Sequence, residues 1–138
     1  MPETLTPFIA LAAGGLVCAV AAILMIAARP GAPGNVLLAG ALSAGFAAFS
    51  VVTIAAEGVF PVVLNHTSNL WGVQVWWDLL FSLSVATFLI LPRARAVGMN
   101  LPLWVAFILL SASIGLLAMC ARLFWLEQAS AREGANPA

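Results

Sequence analysis

The chain contains no lysine and no tyrosine, a single histidine, two cysteines and only 7% charged residues. Five arginines balance five acids, so the net charge is zero and no basic field exists to gather phosphates. A nucleic acid partner is therefore not expected. A zinc site would need three or four ligands and a haem in a helical bundle usually a pair of histidines, whereas His66 stands alone in the segment VLNHTSN. Cys18 and Cys120 lie within apolar runs, without a second cysteine or histidine at metal-ligand spacing, and read as small hydrophobic residues. A nucleophile elbow, a phosphate loop and a CxxC pair are also missing. The sequence accordingly predicts no catalytic constellation, no metal and no cofactor. The opening MPETLTP has an acid and no base, so it lacks the positive region of a secretory signal peptide.

What the chain has in excess is apolar surface, at 64% of its residues. A soluble domain of 138 residues would leave much of that surface facing water, whereas a bilayer removes the need to hide it. Four apolar stretches are long enough to cross a hydrocarbon core of about 30 Å, roughly residues 7–28, 36–56, 70–91 and 101–124. Alternation suited to a barrel is lacking, so helices are expected. The sequence predicts an all-α, up-down antiparallel four-helix transmembrane bundle forming one domain over 1–126, with a frayed polar tail over 127–138.

Connectors set the topology. The run from Arg29 to Asn35, rich in proline and glycine, and the run from Pro92 to Asn100, with Arg93 and Arg95, are short turns that make antiparallel neighbours. The middle connector, Glu57 to Asn69, carries VFPVVL, too short to span and suited either to the bilayer interface or to a lid over the bundle mouth, the interface being preferred. Arg29, Arg93 and Arg95 occupy two loops on one side, so these loops are expected in the cytoplasm and both termini outside it. Arg122 and Arg132 oppose that orientation. Trp71, Trp76, Trp77 and Trp125 would share the outer interface and Trp104 the inner one. Alanine-rich, lysine-free usage suits a GC-rich bacterial genome, and with it a bacterial inner membrane.

The third stretch holds the informative polar groups. Gln74, Asp78 and Ser82 recur every four residues and share one helical face. A carboxylate within a span costs a few kcal/mol and usually meets a cation or a water-filled cavity. Arg122, near the outer end of a continuous fourth helix, is the expected partner of Asp78, and Glu57 competes for it. Small residues repeat at Gly40, Ala44 and Ala48 and at Ser111 and Gly115, a pattern that lets membrane helices approach closely. It suits packing within the chain, a homo-oligomer or contact with another membrane protein.

The second half, from TSNLWGVQVWWDLL to AMCARLFWLE, resembles a family of small bacterial four-helix membrane proteins of unknown function. Gly72, Asp78, Leu79, Arg93, Arg95, Gly98, Ser113, Gly115 and Arg122 carry the resemblance, and Ala112 stands where that pattern has glycine. The resemblance implies a multi-pass fold and supplies no activity. Two roles follow from the residues: a noncatalytic subunit or assembly partner acting through its helix surfaces, or a small carrier using Asp78, Gln74 and Glu57 at an outward-facing cavity.

Overall fold

The computed structural model describes residues 6–28 and 34–135. The N-terminal residues with Glu3, and the turn bearing Arg29, lie outside the described residues. Among those described, the chain is all-helical: α1 (Thr6–Ala27), α2 (Val36–Glu57), α3 (Pro61–Thr67), α4 (Leu70–Ala96), α5 (Leu101–Ser111) and α6 (Ser113–Ala135). Three helices are long and apolar enough to cross a membrane: Phe8–Ala27 within α1, α2 and α4. Helix α1 forms a compact unit by itself, and α2 to α6 form a second.

Local chemistry sets the helix ends. The Asn35 side chain accepts the amide of Leu38 at 3.0 Å to start α2, Asn69 does the same for Gly72 at 2.8 Å in α4, and Asn100 for Leu103 at 3.3 Å in α5. Each cap satisfies an amide that has no partner within its helix. At the far end of α2, Gly58 adopts φ +82°, a conformation open to glycine without penalty. Helix α4 continues past Pro92 to Ala96, beyond the end expected at Leu91. The side chain of Ala94 is fully buried there, so packing holds the last turn that proline weakens. The apolar piece of the middle connector is α3, which starts on Pro61 and folds against the start of α4. Gly72 sits so close to the carbonyl of Asn65 that no side chain would fit, and His66 rests on Trp76 at 5.2 Å.

The largest difference from the sequence expectation lies in the last third. The continuous helix expected over 101–124 is broken at Ala112, whose backbone takes φ +49°. Helix α5 has 11 residues and rises only about 16 Å, half of a hydrocarbon core. Helix α6 then turns back beside it. A methyl group on Gly115 would lie 2.8 Å from the Phe107 carbonyl oxygen and 2.9 Å from the Ile108 amide nitrogen. These residues would be more than 10 Å apart in an unbroken helix. Ala94, Met99, Ile108, Met119 and Leu123 close into one core between the end of α4 and the α5–α6 hairpin. Residues 127–135, expected to fray, continue α6 as helix.

Helix α2 packs along α6 through Ala39 and Ser43, with the Ser43 hydroxyl donating to the carbonyl of Ile114 at 3.0 Å. At the start of α2, Gln128 donates to the Gly34 carbonyl at 2.8 Å, so α2 and α6 run antiparallel. The expected small-residue stripe of α2 lies elsewhere on its surface. Ala44 and Ala48 are exposed, and a side chain on Gly40 would meet open space. The stripe that packs is offset by one residue.

Two substitutions probe the reversal. Ala112→Gly should raise stability by about 1 kcal/mol, because glycine adopts positive φ without steric cost. Gly115→Ala should lower it by about 1–3 kcal/mol, since backbone atoms of Phe107 and Ile108 are in the way together with the Ser111 hydroxyl. Thermal unfolding in detergent reads both. Opposite signs would mean that the chain does not turn sharply here.

Candidate functional site

Polar side chains of the described residues converge where α4 ends, α2 begins and α6 passes both. The Arg93 guanidinium donates from Nε to Glu127 Oε1 at 2.9 Å and from Nη2 to Oε2 at 2.7 Å, a two-point fork matched to a carboxylate. Arg93 also lies over the Phe124 ring at 5.6 Å, and that ring fills the space beside Gly34. One turn of α6 thus ties the exit of α4 to the entrance of α2. Every group here is matched to another protein group, which makes the constellation a clasp between helices.

The clasp corrects the expected topology. Glu127 was expected beyond a fourth crossing, on the opposite side from the Arg93 loop, yet the two side chains are in contact. The reason is the break at Ala112, which sends α6 back toward the end of α4.

The same geometry separates Asp78 from Arg122. Helices α4 and α6 both run toward the clasp. Asp78 precedes Arg93 by fifteen residues and Arg122 precedes Glu127 by five, so their depths differ by ten residues, or about 15 Å. Arg122 is exposed and stacks over Trp125 at 4.3 Å. Gln74, Asp78 and Ser82 share a face as expected from their spacing, but the face is exposed and turned away from the core. Glu57 is exposed at the end of α2. The expected ion pair does not form, and Arg93–Glu127 is the one ion pair among the described residues.

Of the residues expected to pack, Ser111 and Gly115 do come together at the hairpin, where the Ser111 hydroxyl donates to Phe107 at 2.7 Å. Sequence reasoning missed the clasp because it assumed an unbroken last helix. One signal was available, since Glu127 is the first acid after that run and the Arg93 loop holds the nearest bases not on its own helix. Among the described residues, no group of three or more histidine, cysteine, aspartate or glutamate side chains is placed to hold a metal ion. A shallow apolar depression on α5, lined by Leu103, Trp104, Ala106, Phe107 and Leu110, includes none of the polar candidates.

Neutralising either partner of the clasp, Arg93→Gln or Glu127→Gln, should cost up to about 1 kcal/mol, because the fork is well aligned but partly exposed. The double variant should show coupling in a thermodynamic cycle. Asp78→Asn should not lower stability, since an unpartnered carboxylate on a spanning helix has no contact within the chain to lose and its charge is a cost. A large loss from Asp78→Asn, coupled to Arg122→Gln, would restore the pair that the helix depths separate.

Comparison of the chain with protein-family models, with curated proteins and with solved structures gives no match.

Proposed function

We propose that this chain is a noncatalytic, multi-pass subunit or assembly partner of a bacterial plasma membrane, acting through its helix surfaces. The observation that carries the reading is the disposition of its polar groups. Those that converge join one helix to another, as in Arg93–Glu127, Ser43–Ile114 and Gln128–Gly34. The others face outward. A site for chemistry or transport would instead gather polar groups around a cavity. The carrier reading needs Asp78, Gln74 and Glu57 around one space, and all three are exposed on helix exteriors.

Large apolar side chains on the outer faces support the membrane part of the reading. Val51 and Val52 on α2, and Phe81, Phe88 and Leu89 on α4, are all more than half exposed. They suit lipid or an apolar partner. Three helices, α1, α2 and α4, would cross the bilayer, while α5 and α6 form a hairpin that enters from the clasp side and returns. Buried backbone at such a bend is tolerated where protein surrounds it, and Gly115 is buried against α5. Arg93, Arg95 and Arg132 then fall on one side, so the arginines of the second unit no longer oppose one another in the positive-inside bias. In this topology the N-terminus is extracytoplasmic and the C-terminus cytoplasmic.

Topology and assembly are tested together. Reporters fused after Ala138 and within the Arg93 loop should both be cytoplasmic, and one in the middle connector extracytoplasmic. A C-terminal reporter on the far side would contradict the three-crossing path. Extracted in a mild detergent, the protein should migrate as part of an assembly larger than its 14.3 kDa chain plus micelle. A lone monomer that moves ions across proteoliposomes would favour the carrier.

A further inference from the structure

Helix α4 packs on one side and carries Gln74, Asp78 and Ser82 away from it. Leu83, Ile90 and Ala94 belong to the packed side, against a core that includes Met119 and Leu123. With 3.6 residues per turn, Gln74, Asp78 and Ser82 fall about 100–180° around the helix from Leu83. All three are exposed, and the apolar side chains between and beside them, Trp71, Phe81 and Val85, are exposed as well.

Depth decides what this face requires. With Arg93 at the headgroups, Asp78 lies about 22 Å further along α4, within a hydrocarbon core of about 30 Å. It sits just inside the level of Trp71, Trp76 and Trp77, residues suited to the opposite interface. A carboxylate at that depth is costly against lipid and is stabilised by a cation or strong donors.

Among the described residues, this chain has no cation to offer there. Arg93 is engaged by Glu127, Arg122 lies about 15 Å nearer the clasp, and Arg95 and Arg132 are farther still. The stretch Phe8–Ala27 contains no charged residue, so α1 cannot supply one. A second copy inserted in the same direction has its arginines at the same unmatched depths. The described arginines of a co-oriented copy therefore cannot pair with Asp78 across this face.

We propose that the Gln74–Asp78–Ser82 face of α4 docks a transmembrane helix of a different protein, one that carries a lysine or arginine at the depth of Asp78. This inference rests on the assembly-subunit reading and names the chemistry of the partner. Asp78 supplies the charge, and Gln74 and Ser82, one turn to either side, supply hydrogen bonds that fix the register. Trp71, Phe81 and Val85 complete an apolar rim around them.

The test uses full-length protein in phosphatidylcholine vesicles and three synthetic spanning peptides of leucine and alanine. One carries a lysine at the depth of Asp78, one carries it at the opposite end, and one carries none. Energy transfer between labelled protein and labelled peptide should report about tenfold tighter association for the depth-matched lysine, a gain within the range of polar helix contacts in membranes. Asp78→Asn should remove the preference and Asp78→Glu should keep it, with thermal unfolding confirming that both variants fold. Equal binding of the three peptides, or a lysine preference that survives Asp78→Asn, would overturn the proposal. So would self-association through α4 that persists in Asp78→Asn. The native assembly separates this inference from the reading beneath it. Release of the chain by Asp78→Asn supports the α4 face, and an assembly unchanged in that variant contradicts the α4 face alone. A wild-type protein that is monomeric in its own membrane contradicts both.

Discussion

The fork between Arg93 and Glu127 fixes the direction of the last third of the chain, and the arrangement of α2, α4, α5 and α6 follows from it. Once Glu127 is held at the exit of α4, the thirty residues between them must leave and return. The reversal at Ala112 is the point at which they do. Met119 and Leu123 become fully buried between the outgoing and returning arms, and Gln128 and Phe124 are carried to the start of α2. The ion pair itself is worth little, since both side chains are partly exposed. Close packing of the core beneath it supplies most of the free energy, through van der Waals contact of Ala94, Met99, Ile108, Met119 and Leu123. The fork chooses between directions, and the core makes the choice stable.

This arrangement also sorts the charges. A net charge of zero conceals a strong asymmetry along the helix axis. Arg93, Arg95 and Arg132 gather at the clasp end with Glu127, while Glu57 and Asp78 lie toward the other end without a base near them. An asymmetry of this kind suits a chain oriented across a bilayer, because cytoplasmic loops collect arginine and lysine. It also leaves Asp78, the one acid inside a spanning segment since Glu57 is at the end of one, without a neutralising partner among the described residues. Had α6 continued as a fourth span, Arg122 would have come toward the depth of Asp78 and the polar face of α4 would have been satisfied within the chain.

Much of the architecture was legible in residue order alone. Runs of apolar residues near the length of a membrane span gave α1, α2 and most of α4, and Asn35, Asn69 and Asn100 mark helix starts by their side-chain chemistry. The four-residue spacing of Gln74, Asp78 and Ser82 correctly put them on one face. Which way that face turns depends on packing between helices, and hydropathy is silent there because every face of α4 is mostly apolar along its span. The break at Ala112 was hidden for a related reason. Alanine favours helix, and only the close approach of Gly115 to Phe107 and Ile108 forces it into positive φ. Propensity lost to tertiary contact at one residue, and a span became a hairpin. The packing stripe of α2 was misplaced by one position because small residues occur on several of its faces, and only the partner helix distinguishes Ala39 and Ser43 from Gly40 and Ala44.

The path of α6 is the claim on which the topology, the clasp and the unpartnered face of α4 all depend, and a single distance measures it. Spin labels at positions 96 and 130, each three residues beyond the Arg93–Glu127 contact, can be placed in the full chain reconstituted in lipid and their separation read by pulsed electron resonance. The hairpin predicts a separation within about 20 Å, because both sites lie at one level on parallel helices, about one turn beyond the Arg93–Glu127 contact. A continuous helix through Ala112 would carry position 130 across the bilayer and give a separation beyond about 40 Å, which would contradict the account.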